Sequence, residues 1–298
     1  MLTPTSSIVD WRDLQEKTRR LFSEMDYVAE ISKQVALAGR GEKEIDVFVT
    51  DPNASYNKIY LVECKHWASR VPQEVVHSFK TVMEETGANT GFIVSKAGFQ
   101  KGAFEAARYT NINLLTFDEL QNAYGQEWFR KQKAKLEVQI QRLRVHHTRH
   151  FDQWNMLGFS NNIYFRNQEQ RRRLSYFHCW ITDLLCNSMS RWPESFSGPE
   201  PVKVASNPDH PEPVSGWFEF PTVRDYFHAM IRAATACADE FDAFFKDACA
   251  SFNGLPEAVQ GTLRYDGARA MQEELPIRLL KKCLSSEEYD RVISHLAS

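Results

Sequence analysis

Asp46 and the run Glu63-Cys64-Lys65 are the residues of this 298-residue chain whose types and spacing could do chemistry. Ile45–Thr50 (IDVFVT) and Lys58–Lys65 (KIYLVECK) both read as β-strands, joined through the turn signal Asp51-Pro52-Asn53. Side chains alternate along a strand, so Glu63 and Lys65 share a face and Cys64 points away. Asp46, at the start of the neighbouring strand, brings a second carboxylate to the same end of the sheet. Two such carboxylates repel each other and attract a hard divalent cation, Mg²⁺ with several of its waters retained. A neighbouring ammonium can hold the attacking water or stabilise charge on a scissile phosphate. That is the layout of metal-assisted phosphodiester hydrolysis. Glu63–Lys65 is the only acid-x-Lys triplet in the chain, yet a triplet alone says little. An edge-strand surface ion pair would read the same way. The information lies in the order: an Asp-bearing strand, a turn, then the acid and lysine on an apolar strand.

The surrounding elements must place these residues. Leu14, Thr18, Leu21, Phe22 and Met25 recur at helical spacing and predict a helix over 13–25. Tyr27–Gln34 alternates as a half-buried strand does, and the stretch 38–43 is a charged, glycine-containing break. A helix begins at Pro72 and shows Val75, Val76, Phe79, Val82 and Met83 on one face. Gly91–Ser95 is a nearly all-apolar strand, a helix covers 103–108, and Asn113–Phe117 closes the series. This order predicts an α/β domain over 1–125, with a mixed sheet, parallel crossovers and flanking helices.

Residues 126–298 read as a mostly helical region. A basic connecting helix over 126–149 carries seven Lys and Arg against two Glu, a net charge of +5. Its Arg130, Lys131, Lys133, Lys135, Arg142 and Arg144, with Lys96 in the first domain, are candidate nucleic-acid contacts. A helix over 168–188 follows. The loop 191–216 contains six of the twelve prolines. Val223–Phe252 is helical, and Ser285 with Glu288 forms a capping-box pattern for the last helix. This region is expected to serve recognition, oligomerisation or regulation.

Composition sets outer limits. The apolar share of 43% and charged share of 25% are ordinary globular values. No apolar run approaches the ~20 residues that cross a bilayer, and MLTPTSSIVDWRD lacks the features of a secretory signal. The six scattered Cys, with no CxxC, suit a reducing cytoplasm. Cys179 and Cys186, seven apart, are expected as core thiols. The net charge of −3 argues against coating nucleic acid by bulk charge but leaves local basic surfaces open. His146, His147 and His150 are better explained as a basic helix end than as a metal site. Tyr226, Phe227, Phe241, Phe244 and Phe245 fall at core spacing.

Residues 11–120 resemble the Mrr-like restriction endonuclease domain of the PD-(D/E)xK nuclease superfamily. The resemblance rests on Leu21-Phe22 and Tyr27, then Gly39 through Ile45-Asp46, then Val62-Glu63-Cys64-Lys65-His66-Trp67. Gly91-Phe92-Ile93-Val94-Ser95, Gly98-Phe99, Gly102-Ala103, Ala106 and Asn113-Leu114-Leu115 continue it in the right order. It implies a restriction-endonuclease-like fold and a Mg²⁺-dependent nuclease, with Mn²⁺ able to substitute. Asp46 and Glu63 would be metal ligands and Lys65 the catalytic lysine. It further implies DNA as partner, a role in restriction or anti-phage defence, and a homo-oligomer with a possible regulatory protein partner. Many relatives complete the metal site with a Glu on the first helix. The matching position here is Gln15, with Glu16 beside it, so either residue could support the site. The alternatives are a catalytically weak or inactive fold that only binds DNA or protein, and an effector nuclease switched on by a partner or ligand bound to the C-terminal region.

Overall fold

The pattern of β-branched and aromatic runs separated by turns produces one five-stranded sheet. In this computed structural model, the described residues are 2–37, 41–147, 168–190, 202–204, 207–209, 218–254 and 257. Strand order is β1 (Val28–Leu37), β2 (Gly41–Thr50), β3 (Ile59–Lys65), β4 (Thr90–Ser95), β5 (Ile112–Leu115). The first three strands form an antiparallel meander, and β3, β4 and β5 run parallel. Helices α2 (Gln73–Thr86) and α3 (Lys101–Ala107) make the two crossovers. The mixed sheet with flanking helices, followed by a helical region, is the architecture expected from the sequence.

Helix α1 (Trp11–Glu24) starts at Asp10, whose side chain accepts the Asp13 amide as an N-cap. It buries Leu14, Thr18, Leu21 and Phe22. The Phe22 ring meets Tyr27, Tyr60, Phe92 and Tyr124 at centroid distances of 5.1–6.4 Å, a cluster that fixes α1 beside the sheet. A separate core gathers Ile45, Phe48, Leu61, Val76, Phe79, Met83 and Ile93. Close approach of α2 there requires Gly91. A Cβ at that position would lie 2.7 Å from the Phe79 ring and 2.9 Å from the Met83 sulfur.

Two boundaries differ from expectation. Strand β5 ends at Leu115, and α4 (Phe117–His146) begins nine residues before position 126. Thr116 is the cause. Its amide and hydroxyl both donate to Glu119 Oε2, and its Oγ1 accepts the Glu119 amide, a reciprocal capping box. Strand β2 likewise starts at Gly41, so Asp46 lies within the strand rather than at its start.

The chain divides into two compact units. The first includes Met1–Lys135 and Glu219–Phe227, and the second includes Leu136–Trp192 and His228–Ser298. Helices α1 to α3 belong to the first unit and α5 (Gln168–Ser190) to the second, while α4 and α6 (Val223–Asn253) each contribute residues to both. In the second unit, Phe177 packs on Phe241 and Phe244, each at 5.4 Å. Tyr226, Phe227, Phe241 and Phe244 are buried, as their spacing predicts, while Phe245 is only half-buried. Cys179 and Cys186 are not: both are exposed, because the buried stripe of α5 runs through Leu174, Phe177, Trp180, Ile181 and Leu184. Residues seven apart share a face, but here it is the outward one. Positions 38–40, 148–150, most of the loop 191–216 and the capping pair Ser285 and Glu288 lie outside the described residues.

Candidate active site

The site forms where β2 and β3 part. Their ladder runs from Thr50↔Ile59 to Val47↔Val62 and goes no further. The next backbone donor on β3, the Cys64 amide, has lost its strand partner. The Asp46 carboxylate replaces it, with Oδ2 accepting that amide at 2.7 Å. A buried amide must find an acceptor, so this bond anchors the carboxylate at the fork.

The other side of β2 is irregular at the same point. The β1–β2 ladder passes from Ile31↔Val47 to Lys33↔Ile45, and Ser32 between them has φ +51°. Left-handed backbone at a residue other than glycine is uncommon. The strand's alternation resets here, because Ile45 and Phe48 enter the same core although three residues apart. Asp46 occupies the reset, one residue from the fork.

Glu63 and Lys65 share a face of β3, and the Lys65 ammonium pairs with Glu63 Oε1. Both side chains are mostly buried, at 15% and 17% exposure. Lys65 also lies 5.2 Å from the Trp67 ring centroid. Cys64 points to the opposite face, where its Sγ is 4.0 Å from Thr18 Oγ1 of α1. Burial and the neighbouring Asp46 carboxylate push its thiol well above the ordinary range.

Burial, then the negative charge of Glu63, raises the Asp46 carboxyl above its ordinary value. The Cys64 amide, Lys65 and a hydrogen bond from Gln15 act against that rise. Gln15 is therefore the α1 residue at the site, and it is 3% exposed. Glu16 turns outward and pairs with Arg19. Among the described residues, no three His, Cys, Asp or Glu side chains converge as a metal cage. The site offers two carboxylates and one carboxamide.

A cavity of about 270 Å³ opens beside Glu63 and Lys65, between them and α2. Trp67, Glu74 and Ser78 border it. Trp67 stands in the sequence motif itself. Glu74 and Ser78 carry no sequence signal, since only the packing of α2 brings them to the site.

The basic candidates are dispersed. Lys131 and Lys135 pair with Asp26 at 3.1 and 2.6 Å, and Lys135 also donates to the Glu24 carbonyl. Arg142 pairs with Asp239 and Asp242, each at 2.8 Å. Arg130, Lys133, Arg144 and Lys96 have exposed side chains. Lys96 borders a second, smaller cavity with His66 and Ser95. His146 pairs with Asp242, and His147 stacks on His178 at 5.7 Å.

The five-stranded mixed sheet with flanking helices is consistent with a restriction-endonuclease-like fold. Residues 7–124 match the family model Mrr_cat, described as Restriction endonuclease, in keeping with an Mrr-like nuclease domain in this part of the chain. Among curated proteins, none matches. A crystal structure of a protein of unknown function, AF1548, is similar at 18% identity and a TM-score of 0.31. That likeness covers 35% of this chain and 57% of the other. No described helix is long and apolar enough to cross a membrane.

Proposed function

We propose that this chain is a metal-dependent endonuclease that hydrolyses DNA phosphodiester bonds, with Asp46 and Glu63 as metal ligands and Lys65 as the catalytic lysine. One observation carries the reading: two carboxylates and an ammonium meet at the fork where β2 and β3 part. The donor set suits Mg²⁺, with Mn²⁺ as substitute, because such ions use one or two carboxylates and keep waters. The raised Asp46 carboxyl supports the same view, since a cation would relieve the repulsion from Glu63. When bound, the ion supplies positive charge at the phosphate and acidifies a water.

The chain's own residues do the positioning. Gln15 and the Cys64 amide orient the Asp46 carboxylate. Glu63 holds the Lys65 ammonium where it can meet a phosphate oxygen or the attacking water. A role in restriction or anti-phage defence rests on the description of the matching family and belongs to the same proposal.

The test is plasmid cleavage with Mg²⁺ by wild type, Asp46→Ala and Lys65→Ala. Wild type is expected to cut, and each variant to lose about 10²-fold or more in rate. Cleavage that survives in both variants would overturn the assignment. Salt-sensitive DNA binding with no cleavage under any divalent ion would favour a nuclease fold kept for binding.

A further inference from the structure

We infer that the cavity between Trp67 and α2 receives an unstacked nucleobase of the substrate, so that the enzyme engages single-stranded or locally unpaired DNA. The inference rests on the nuclease reading, which brings a polynucleotide to Glu63 and Lys65.

The chemistry of the cavity selects its occupant. One wall is apolar, made by Val75, Phe79 and Val82 of α2. The Trp67 ring borders it and is 41% exposed. Glu74 and Ser78 add a polar edge, one an acceptor and the other a donor or acceptor. The charged groups balance: Glu63 and Glu74 against Lys43 and Lys65. Away from Glu63 and Lys65, a phosphate in the cavity would face the Glu74 carboxylate and an apolar wall, with Lys43 the one cation, which is unfavourable. A nucleobase is neutral, has apolar faces and carries hydrogen-bonding groups at its rim. Aromatic and apolar surfaces beside a few polar groups are what extruded bases stack between.

The cavity adjoins the residues proposed to cut the backbone. A nucleotide next to the scissile phosphate can reach it without the chain bending far. In an intact duplex that base is stacked on both faces and paired at its edge, so it cannot enter. Access therefore requires a single strand, an end, a mismatch or a base drawn out of the helix.

Binding to the full chain, measured by fluorescence anisotropy without divalent ions, tests this independently of cleavage. The probes are a single-stranded hexadeoxynucleotide, its abasic counterpart with the same phosphates, and a duplex of the same sequence. Wild type should bind the base-bearing strand about tenfold or more tightly than the abasic strand, the scale of one stacked base. It should also prefer that strand to the duplex. Trp67→Ala, which removes the ring, and Ser78→Trp, which fills the cavity, should each bring the ratio of base-bearing to abasic affinity down to about one, whatever change they make in affinity for the abasic strand. Equal binding of base-bearing and abasic strands by wild type would overturn the inference. So would a preference that persists in both variants. Plasmid cleavage without the preference would leave the nuclease reading standing and remove the base site. The preference without cleavage under any divalent ion would do the reverse.

Discussion

Asp46 is a half-buried carboxylate close to Glu63, placed where its ionisation is unfavourable. Its carboxyl is raised above the ordinary value of 3.8, and the sign of the consequence follows from proton linkage. Below that value the group is protonated in both folded and unfolded chains and costs nothing. As pH rises through the window above it, the unfolded chain ionises first, and the fold loses stability until Asp46 ionises as well. Asp46→Asn keeps an acceptor for the Cys64 amide and removes the charge. The variant should melt higher than wild type at neutral pH, by about 1 kcal/mol, the usual scale for neutralising an unfavourable functional residue. The gain should vanish near pH 3, and thermal melts across pH check it; a constant gain at all pH values would refute the electrostatic cause. Mg²⁺ should raise the melting temperature of wild type and not of Asp46→Asn, since a ligand bound only to the fold stabilises it. Melts with and without the ion decide that, and an equal rise in both would remove Asp46 from the ligand set. These residues were legible because strand alternation is a local rule that puts Glu63 and Lys65 together. The choice of Gln15 over Glu16 follows from the α1 face, which buries one and exposes the other. The carboxylate bond to the Cys64 amide was not legible, because nothing local says where the β2–β3 ladder ends.

The elements hold the site through a few close approaches. Gly91 on β4 allows α2 to lie against the sheet, and α2 in turn forms the wall of the cavity beside Lys65. Gly91→Ala would place a methyl group 2.7 Å from the Phe79 ring and 2.9 Å from the Met83 sulfur. Overpacking of this kind costs about 1–3 kcal/mol, so chemical denaturation should show a lowered midpoint. A midpoint equal to wild type would mean that α2 shifts freely and does not fix the cavity. Element order was readable from hydrophobic period, and the half-buried alternation of β1 is present along its whole length. The start of α4 was misplaced because its apolar positions are sparse, whereas the capping signal at Thr116 and Glu119 was local and strong. Cys179 and Cys186 show the complementary limit. Periodicity tells which residues share a face, while burial depends on which face another element covers.

At the scale of the molecule, the basic stretch reads differently once its partners are known. Seven Lys and Arg over 126–149 suggest a continuous nucleic-acid contact in sequence. In the fold, Lys131 and Lys135 hold Asp26, so two of those charges are spent within the first unit. Arg130 sits on the same helix with an exposed side chain. Charge that is already paired releases no counterions on binding, so the residues should separate by salt dependence. Arg130→Ala should lower DNA affinity and reduce the slope of log affinity against log salt by about one, as for a single phosphate contact. Lys131→Ala with Lys135→Ala should leave that slope within error of wild type. Their loss should instead lower stability by up to about 1 kcal/mol per exposed pair, with the Glu24 carbonyl losing a donor as well. Titrations of one duplex and one single strand, at roughly 50 to 200 mM salt, make the comparison. If the double lysine variant flattens the slope as much as Arg130→Ala, the ion pairs with Asp26 open when DNA binds. The whole basic helix would then act as one contact surface, as its charge count alone suggests.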